Sequence, residues 1–422
     1  MIRALTGWLY DTRVVIVRPT RSGAAMSFHP DALDRWGAGS QILSLGLPLR
    51  TTDPKPSRAT AYIEGLLPEG DARALLALRA GISGLDTFGM IRTYGREVAG
   101  AVAFLDDGDE PASQGDYRPL TPAEIAAMIR DVAAAPLGNT EAGDSKSLAG
   151  YQHKVLLARR PGSQTWLKGL YGAASTHILK PPNPRFPGLV WEEHFAMRLA
   201  ARSGLDAETV AVEEIEGVPV LVVQRYDRDI TSWPPRRIHQ EDMVQALGVM
   251  PQNKYQRHGG AVTLRRIAHL LPADDLPKLL GYVTFMCTLG DADQHGKNLS
   301  VLHTPDGGFA LAPLYDLAPT YHYSGYDNHL ALRVGNAEHV NTVLADDLVA
   351  EGMAWGLSPA AAKETVAETL ARVGQSLDRL DADDARGVPE FVVDGVRKRV
   401  ASLRAGRAAG SPDGAGSRVA AV

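Results

Sequence analysis

The segment GDADQHGKNLS, Gly290 to Ser300, places two aspartates, a histidine, a lysine and an asparagine between the apolar runs GYVTFMCTL and VLH. Three readings fit these residue types. Asp, Asn and Gly favour turns, so a solvated loop is one. A metal-dependent phosphohydrolase is the second, with Asp291, Asp293 and His295 as ligands and Asp316 of LAPLYDLAPT as a further carboxylate. The third is phosphoryl transfer. Asp293 and Asn298 are separated by four residues, the D-x-x-x-x-N spacing in which the aspartate takes the hydroxyl proton and the asparagine holds Mg²⁺. A second Mg²⁺-binding aspartate is then required at a downstream strand end, and Asp316 follows GFALAPLY at that place. Hard oxygen donors on short loops suit Mg²⁺, which keeps several of its waters.

Phosphoryl transfer from ATP also needs a cation from a preceding strand. Lys180 closes THILKP and can hold the α- and β-phosphates, or can be a solvated edge residue. The helix WEEHFAMRLAARSGL follows, offering Glu192 or Glu193 as its ion-pair partner; first-turn glutamates also answer the helix dipole. Lysine, Asp-x-x-x-x-Asn and aspartate thus occur in the required order. No G-x-G-x-x-G is present. The nearest loop, SKSLAGYQHK, has the single glycine Gly150, and consecutive backbone N–H groups there could cradle a phosphate.

The elements that must hold these residues divide the 422-residue chain into several subdomains. Residues 1–110 are β-rich, with RVVIV and EVAGAVAFL as strands and EGDARALLALRAGI as an inserted helix. DDGDEPASQGDYRPL reads as a surface linker. Residues 111–240 form a mixed lobe. It opens on a helix with a capping box, Thr121 with Glu124 three residues on, and continues in the strands HKVLLAR, THILKP and VPVLVVQRYDR. Residues 241–405 are predominantly helical and carry the polar loop, with a short hairpin around TPDGG. SPAAAKETVAETLARVGQSLDRL reads as a long amphipathic helix capped by Ser358. Residues 406–422 are rich in Gly, Ala and Ser and read as a disordered tail.

Composition bounds the function. A net charge of −5 gives no global basic field for nucleic acid. The one cysteine, Cys287, lies in an apolar run, which reads as a core residue and suits a reducing compartment. The N-terminus lacks the apolar region of a signal peptide, and no stretch approaches the roughly 18 apolar residues of a membrane span. A soluble, cytoplasmic protein with no membrane partner is expected.

The motifs KSLAGYQHKVLLA, THILKPP, EEHFAMRLAARSGL, VVQRYDR, IHQEDMVQALG, KYQRHGG, GDADQHGKNLS and LAPLYDLAPT resemble, in order and register, those of the HipA family. These are serine/threonine kinase toxins of bacterial type II toxin–antitoxin modules. LPLR, YIEGLLPEGDAR and GREVAGAVAFL resemble the family's N-terminal subdomain, so the likeness runs over roughly residues 1–405. It implies an α+β, bilobal kinase fold with a β-rich N-terminal subdomain and an all-helical C-terminal lobe. It further implies Asp293 as catalytic base, His295 and Lys297 as residues shaping its loop, Asn298 and Asp316 as Mg²⁺ ligands, and Lys180 as the ATP lysine partnered by Glu193. SLAGYQHK becomes the phosphate-covering loop, with Ala149, Gly150 and Lys154 toward ATP. Ser147 falls at the family's autophosphorylation position, an event that expels the loop, and Ser145 two residues earlier is the alternative. Gln224 stands where the family has Glu in its adenine-contacting hinge; Tyr226 reads as packing against adenine or as a core tyrosine, and Arg225 with Asp227 reads as a functional or a structural pair. The implied partners are a helix-turn-helix antitoxin, through which alone DNA is reached, and a target protein such as an aminoacyl-tRNA synthetase. A catalytically weak co-repressor of that antitoxin is the alternative from another class.

Overall fold

The valine-rich run of Thr12–Thr20 pairs on one side with Gly23–Phe28 and on the other with Leu5–Leu9, which in turn pairs with Val102–Asp106. Alternation along these antiparallel strands turns Leu5, Leu9, Val15, Val17 and Met26 into a core. The helix Pro56–Leu66 covers it with Tyr62 and Ile63. The computed structural model describes residues 4–21, 23–111, 116–140, 144–150 and 152–411. The chain folds into two compact units that alternate along the sequence, the first of residues 1–190, 208–254 and 296–313, the second of 191–207, 255–295 and 314–422.

The first unit also holds a six-stranded antiparallel sheet. Its order is Asp116–Pro119, Trp166–Leu170, Val155–Arg159, His177–Lys180, Val218–Gln224, Val210–Ile215. The helix Pro122–Arg130 packs Ile125, Met128 and Ile129 on this sheet's Val155, Leu157, Leu179 and Val220. Its capping box forms as the sequence predicts: Glu124 N–H donates to Thr121 Oγ1 and Thr121 N–H to Glu124 Oε2. A three-stranded sheet, His239–Asp242, Ser300–His303 and Phe309–Leu311, includes the expected TPDGG hairpin.

The second unit is built around Leu276–Leu289, a helix buried on nearly every face, as its continuous apolar composition requires. Ala345–Ala354, Pro359–Asp378 and Glu390–Arg404 pack against it, and Ser358 Oγ accepts Ala361 N–H as the N-cap of the second of these. The unit is not wholly helical: His329–Val334 and Ala337–His339 form a hairpin. Gly290 stops the central helix with φ of +77°, its N–H shared by Met286 and Cys287 carbonyls. A Cβ there would sit 2.5 Å from the Tyr321 ring, so glycine is required for conformation and for space. Cys287 is buried, and burial pushes its thiol up to about 12; it is a core residue.

Part of the segment read as a disordered tail is tied down. Ala409 N–H donates to Val343 O and Gly410 N–H to Asn341 O, while residues 412–422 lie outside the described residues. No described helix is long and apolar enough to cross a membrane.

Candidate functional site

The polar loop starts where Gly290 ends its helix, and it is not a solvated turn: Asp291, His295, Lys297 and Asn298 are all buried. Asp291 organises its first half. One carboxylate oxygen accepts Asp293 N–H at 3.0 Å; the other accepts Gln294 Nε2–H at 2.6 Å and Ala318 N–H at 3.0 Å. Burial pushes the Asp291 carboxyl up to about 7 against those donors. Gln294 also donates to Asp316 O, so Asp291 and Gln294 fasten the LYDLAP segment to the loop. Both oxygens of Asp291 are committed, which leaves it a positioning role.

Asp293 is held differently. Tyr255 donates its hydroxyl to Oδ1 at 2.8 Å and Tyr326 donates to Oδ2 at 3.0 Å. His295 stands edge-on to the Tyr255 ring at 5.2 Å and donates its backbone N–H to Asp293 O. Burial, then the charge and hydrogen bond of Asp293, raise the Tyr326 phenol well above its usual value, so it stays a donor. Asp316 is exposed, with a left-handed backbone at φ +56° that a non-glycine residue rarely adopts. Glu192, on the same unit's helix, accepts from the Tyr323 hydroxyl at 2.7 Å and lies 3.1 Å from His322 Nε2. Glu193 beside it is buried.

The first unit holds the loop's second half. Gly296–Asn298 is one 3₁₀ turn, and Lys297 points into the protein, its ammonium 2.7 Å from Asp242 Oδ2 and 3.1 Å from Gly65 O. Lys180 lies on a central strand, paired with Leu221, and is buried, so it is no edge residue. Upstream, Lys154 folds back so that Nζ donates to Ala149 O at 2.8 Å. Gly150 has φ +116°, and a Cβ there would lie 2.6 Å from Lys154 Nζ. Tyr151 of this loop lies outside the described residues. Both candidate serines are buried: Ser147 Oγ donates to Leu66 O at 2.7 Å, and Ser145 Oγ to Thr93 O at 3.0 Å.

The VVQRYDR segment resolves into roles. Gln224 N–H donates to Thr209 O, and Tyr226 donates its hydroxyl to Gln240 Oε1 at 2.7 Å. Arg225 and Asp227 form a structural pair in a buried cluster. Arg225 reaches Asp227 Oδ2 at 2.8 Å and Glu97 Oε1 at 3.0 Å, and Arg228 reaches the same two carboxylates at 2.9 and 3.0 Å. Burial alone would raise both carboxyls, but Arg225 and Arg228 outweigh it and hold both below the usual range. The partners missed from sequence are Tyr255, Tyr326, Asp242 and Glu97. Three of them lie inside motifs already singled out, KYQRHGG, IHQEDMVQALG and GREVAGAVAFL, and only Tyr326 carries no such signal.

Among the described residues, no three His, Cys, Asp or Glu side chains gather in a metal-holding cluster. Residues 5–105 match the HipA N-terminal domain family and residues 146–377 the HipA-like C-terminal domain family. The chain is 38% identical over 364 residues to the candidate kinase Y4mE of Sinorhizobium fredii, covering 82% of this chain and 86% of that one. It is 29% identical over 376 residues to the serine/threonine-protein kinase toxin HipA of Shewanella oneidensis, covering 82% and 85%. The solved HipA, HipB and operator DNA complex from Shewanella oneidensis MR-1 contains a chain that superposes with a TM-score of 0.78 at 26% identity, over 95% of this chain and 99% of that one. The chain belongs to the HipA family of serine/threonine-protein kinase toxins.

Proposed function

We propose that this kinase transfers the γ-phosphate of ATP to a serine of a target protein, and to a serine of its own SLAGYQHK loop. The observation that carries the reading is the grip of the Tyr255 and Tyr326 hydroxyls on the two oxygens of Asp293. Two hydroxyl bonds fix the direction of this carboxylate, as a base that takes an acceptor hydroxyl's hydrogen and aims its oxygen requires. Asn298, and separately the exposed Asp316 with its left-handed backbone, would each offer a hard oxygen donor of the kind Mg²⁺ takes, and Mg²⁺ would supply charge neutralisation on the phosphates. Lys180 would hold the α- and β-phosphates, and Lys297 keeps its own turn seated on Asp242. Ala149, Gly150 and Lys154 would cover the phosphates, with Gln224 and Tyr226 near the base; the tyrosine's bond to Gln240 favours a positioning role. Orientation and charge neutralisation then supply most of the rate.

The partners in this reading are a helix-turn-helix antitoxin, which would carry any DNA contact, and a cytoplasmic target such as an aminoacyl-tRNA synthetase. The antitoxin is favoured by the superposition on a HipA that is bound to HipB and operator DNA. A catalytically weak co-repressor is the second reading. The complete set of Lys180, Asp293, Asn298 and Asp316 favours turnover instead. Incubation with radiolabelled ATP and Mg²⁺ decides between them: the wild type incorporates label, and Asp293→Asn, with unchanged circular dichroism, does not. Equal labelling of the two would overturn the assignment of Asp293.

A further inference from the structure

The first unit carries a half-open cavity of about 670 Å³ whose walls include none of the residues assigned above to ATP, metal or phosphate transfer. That volume suits a small molecule, which proteins bind in apolar clefts carrying a few placed polar groups. Trp8 and Tyr10 come from the first strand and its turn, Tyr117 from the edge of the six-stranded sheet, and Tyr171 from the turn after Trp166–Leu170. Four aromatic rings around one space are more than a packing gap needs.

Apart from Asp229, the charged side chains on these walls are guanidinium donors. Trp8 Nε1–H is buried with no hydrogen-bond partner among the described residues. Of the charged residues lining the cavity, Arg96 pairs with Asp109 at 2.8 Å and Arg236 with Asp229 at 2.6 Å. Arg237 has no ion pair among the described residues; its Nη2 donates to the Arg96 and Gly172 carbonyls at 3.0 and 2.6 Å. Next to it, Arg225 and Arg228 are balanced by Glu97 and Asp227, so Arg237 is a third cation without a third anion. Burial, then Arg228, lowers its guanidinium to about 10, which still leaves it charged at neutral pH. The lining's one carboxylate, Asp229, is already paired with Arg236, so the charge left over on these walls is positive and favours an anion.

The backbone adds an independent observation. Tyr10 and Tyr171 have φ of +58° and +54°, two of only five described non-glycine residues in the left-handed region, and both line this cavity. Tyr171 is also 57% exposed, an unusual place for a large ring. Strain held in two aromatic residues facing one space is a mark of a binding site.

We propose that this cavity binds a small aromatic carboxylate, its anion paired with Arg237 and its ring among Trp8, Tyr117 and Tyr171. The assignment is independent of the kinase reading. Isothermal titration of the full chain with benzoate, naphthalene-2-carboxylate and indole-3-carboxylate, and with naphthalene-2-carboxamide as the uncharged match, tests it. At least one acid is expected to bind saturably at one site, with the amide at least tenfold weaker than its acid. Arg237→Gln should weaken the acid by tenfold or more. Ala103→Leu, which fills the cavity from an edge strand, should abolish binding while the protein keeps its melting temperature and its labelling by ATP. Absence of saturable binding by all three acids, equal affinity for acid and amide, or binding untouched by Ala103→Leu would each overturn the proposal. Should Arg237→Gln fail to fold, the acid–amide comparison and Ala103→Leu still decide.

Discussion

Lys297 Nζ lies 2.7 Å from Asp242 Oδ2, with only 5% and 8% of the two side chains exposed, and this pair fastens the Gly296–Asn298 turn to the start of a helix 55 residues earlier. Asp242 uses its other oxygen to cap that helix at Val244 and Gln245 N–H. Burial raises the Asp242 carboxyl and Lys297 opposes the rise. Lys297→Met strands a buried carboxylate, and we expect a loss of about 3–5 kcal/mol in urea unfolding at pH 7. The sign of the pH dependence follows. A carboxyl raised in the folded state binds a proton there before it does in the unfolded chain, so the variant's deficit should shrink between pH 7 and 5. A deficit independent of pH would mean that Asp242 is not the stranded group.

Tyr255 and Tyr326 act through Asp293. Removal of either hydroxyl deletes a charge-assisted bond of about 1.5–3 kcal/mol, so Tyr255→Phe and Tyr326→Phe should each lower kcat by roughly ten- to a hundredfold if that bond aims the base in the transition state. KM for ATP should stay within about twofold, since neither hydroxyl is assigned to nucleotide. A fall in melting temperature with a matching loss across both kinetic parameters would point to a structural role instead.

These two relationships mark what the sequence does and does not carry. The capping box of Thr121, the N-cap of Ser358 and the D-x-x-x-x-N spacing are local, fixed by residues within a turn or two, and so can be read without a fold. The partners of Asp293 are 38 and 33 residues away, and Glu97 is 128 residues from Arg225. Which tyrosine or carboxylate completes each site depends on how strands are ordered and where the chain passes between its two units. Lys180 shows the same limit: its strand is legible, but its central place between Val155–Arg159 and Val218–Gln224 is a matter of topology. Cys287 needed no partner to be read, because an apolar run around a thiol is itself the signal.

The Glu97, Arg225, Asp227 and Arg228 cluster should govern acid stability. Both carboxyls have folded-state values below their unfolded ones, so their contribution is complete above the unfolded range near pH 4 and is lost as pH falls through the folded values. Denaturant midpoints of the wild type should therefore drop steeply below about pH 5. Asp227→Asn should be less stable by about 3–5 kcal/mol at pH 7, because Arg225 and Arg228 each lose one of two carboxylate partners, yet decline less steeply in acid, since one proton-linked group is gone. Parallel acid limbs for variant and wild type would place the titrating groups elsewhere.

Ser147 gives the last test. Its hydroxyl is fully buried on Leu66 O, its N–H donates to Glu97 O, and Glu97 N–H returns to Ser145 O, so the segment is stitched in as a short parallel bridge. A phosphate carries about −1.5 to −2 charges and three acceptor oxygens, and it cannot lie against a buried carbonyl. Whichever serine is modified, the bridge must open first. After incubation with Mg²⁺ and ATP, mass spectrometry should find phosphate on Ser147 or Ser145, and hydrogen exchange at the Ser147 and Glu97 amides should rise from protected to fast. Asp293→Asn should keep both amides protected under the same treatment. Phosphate on either serine with the bridge still protected would break the link between modification and release of the loop.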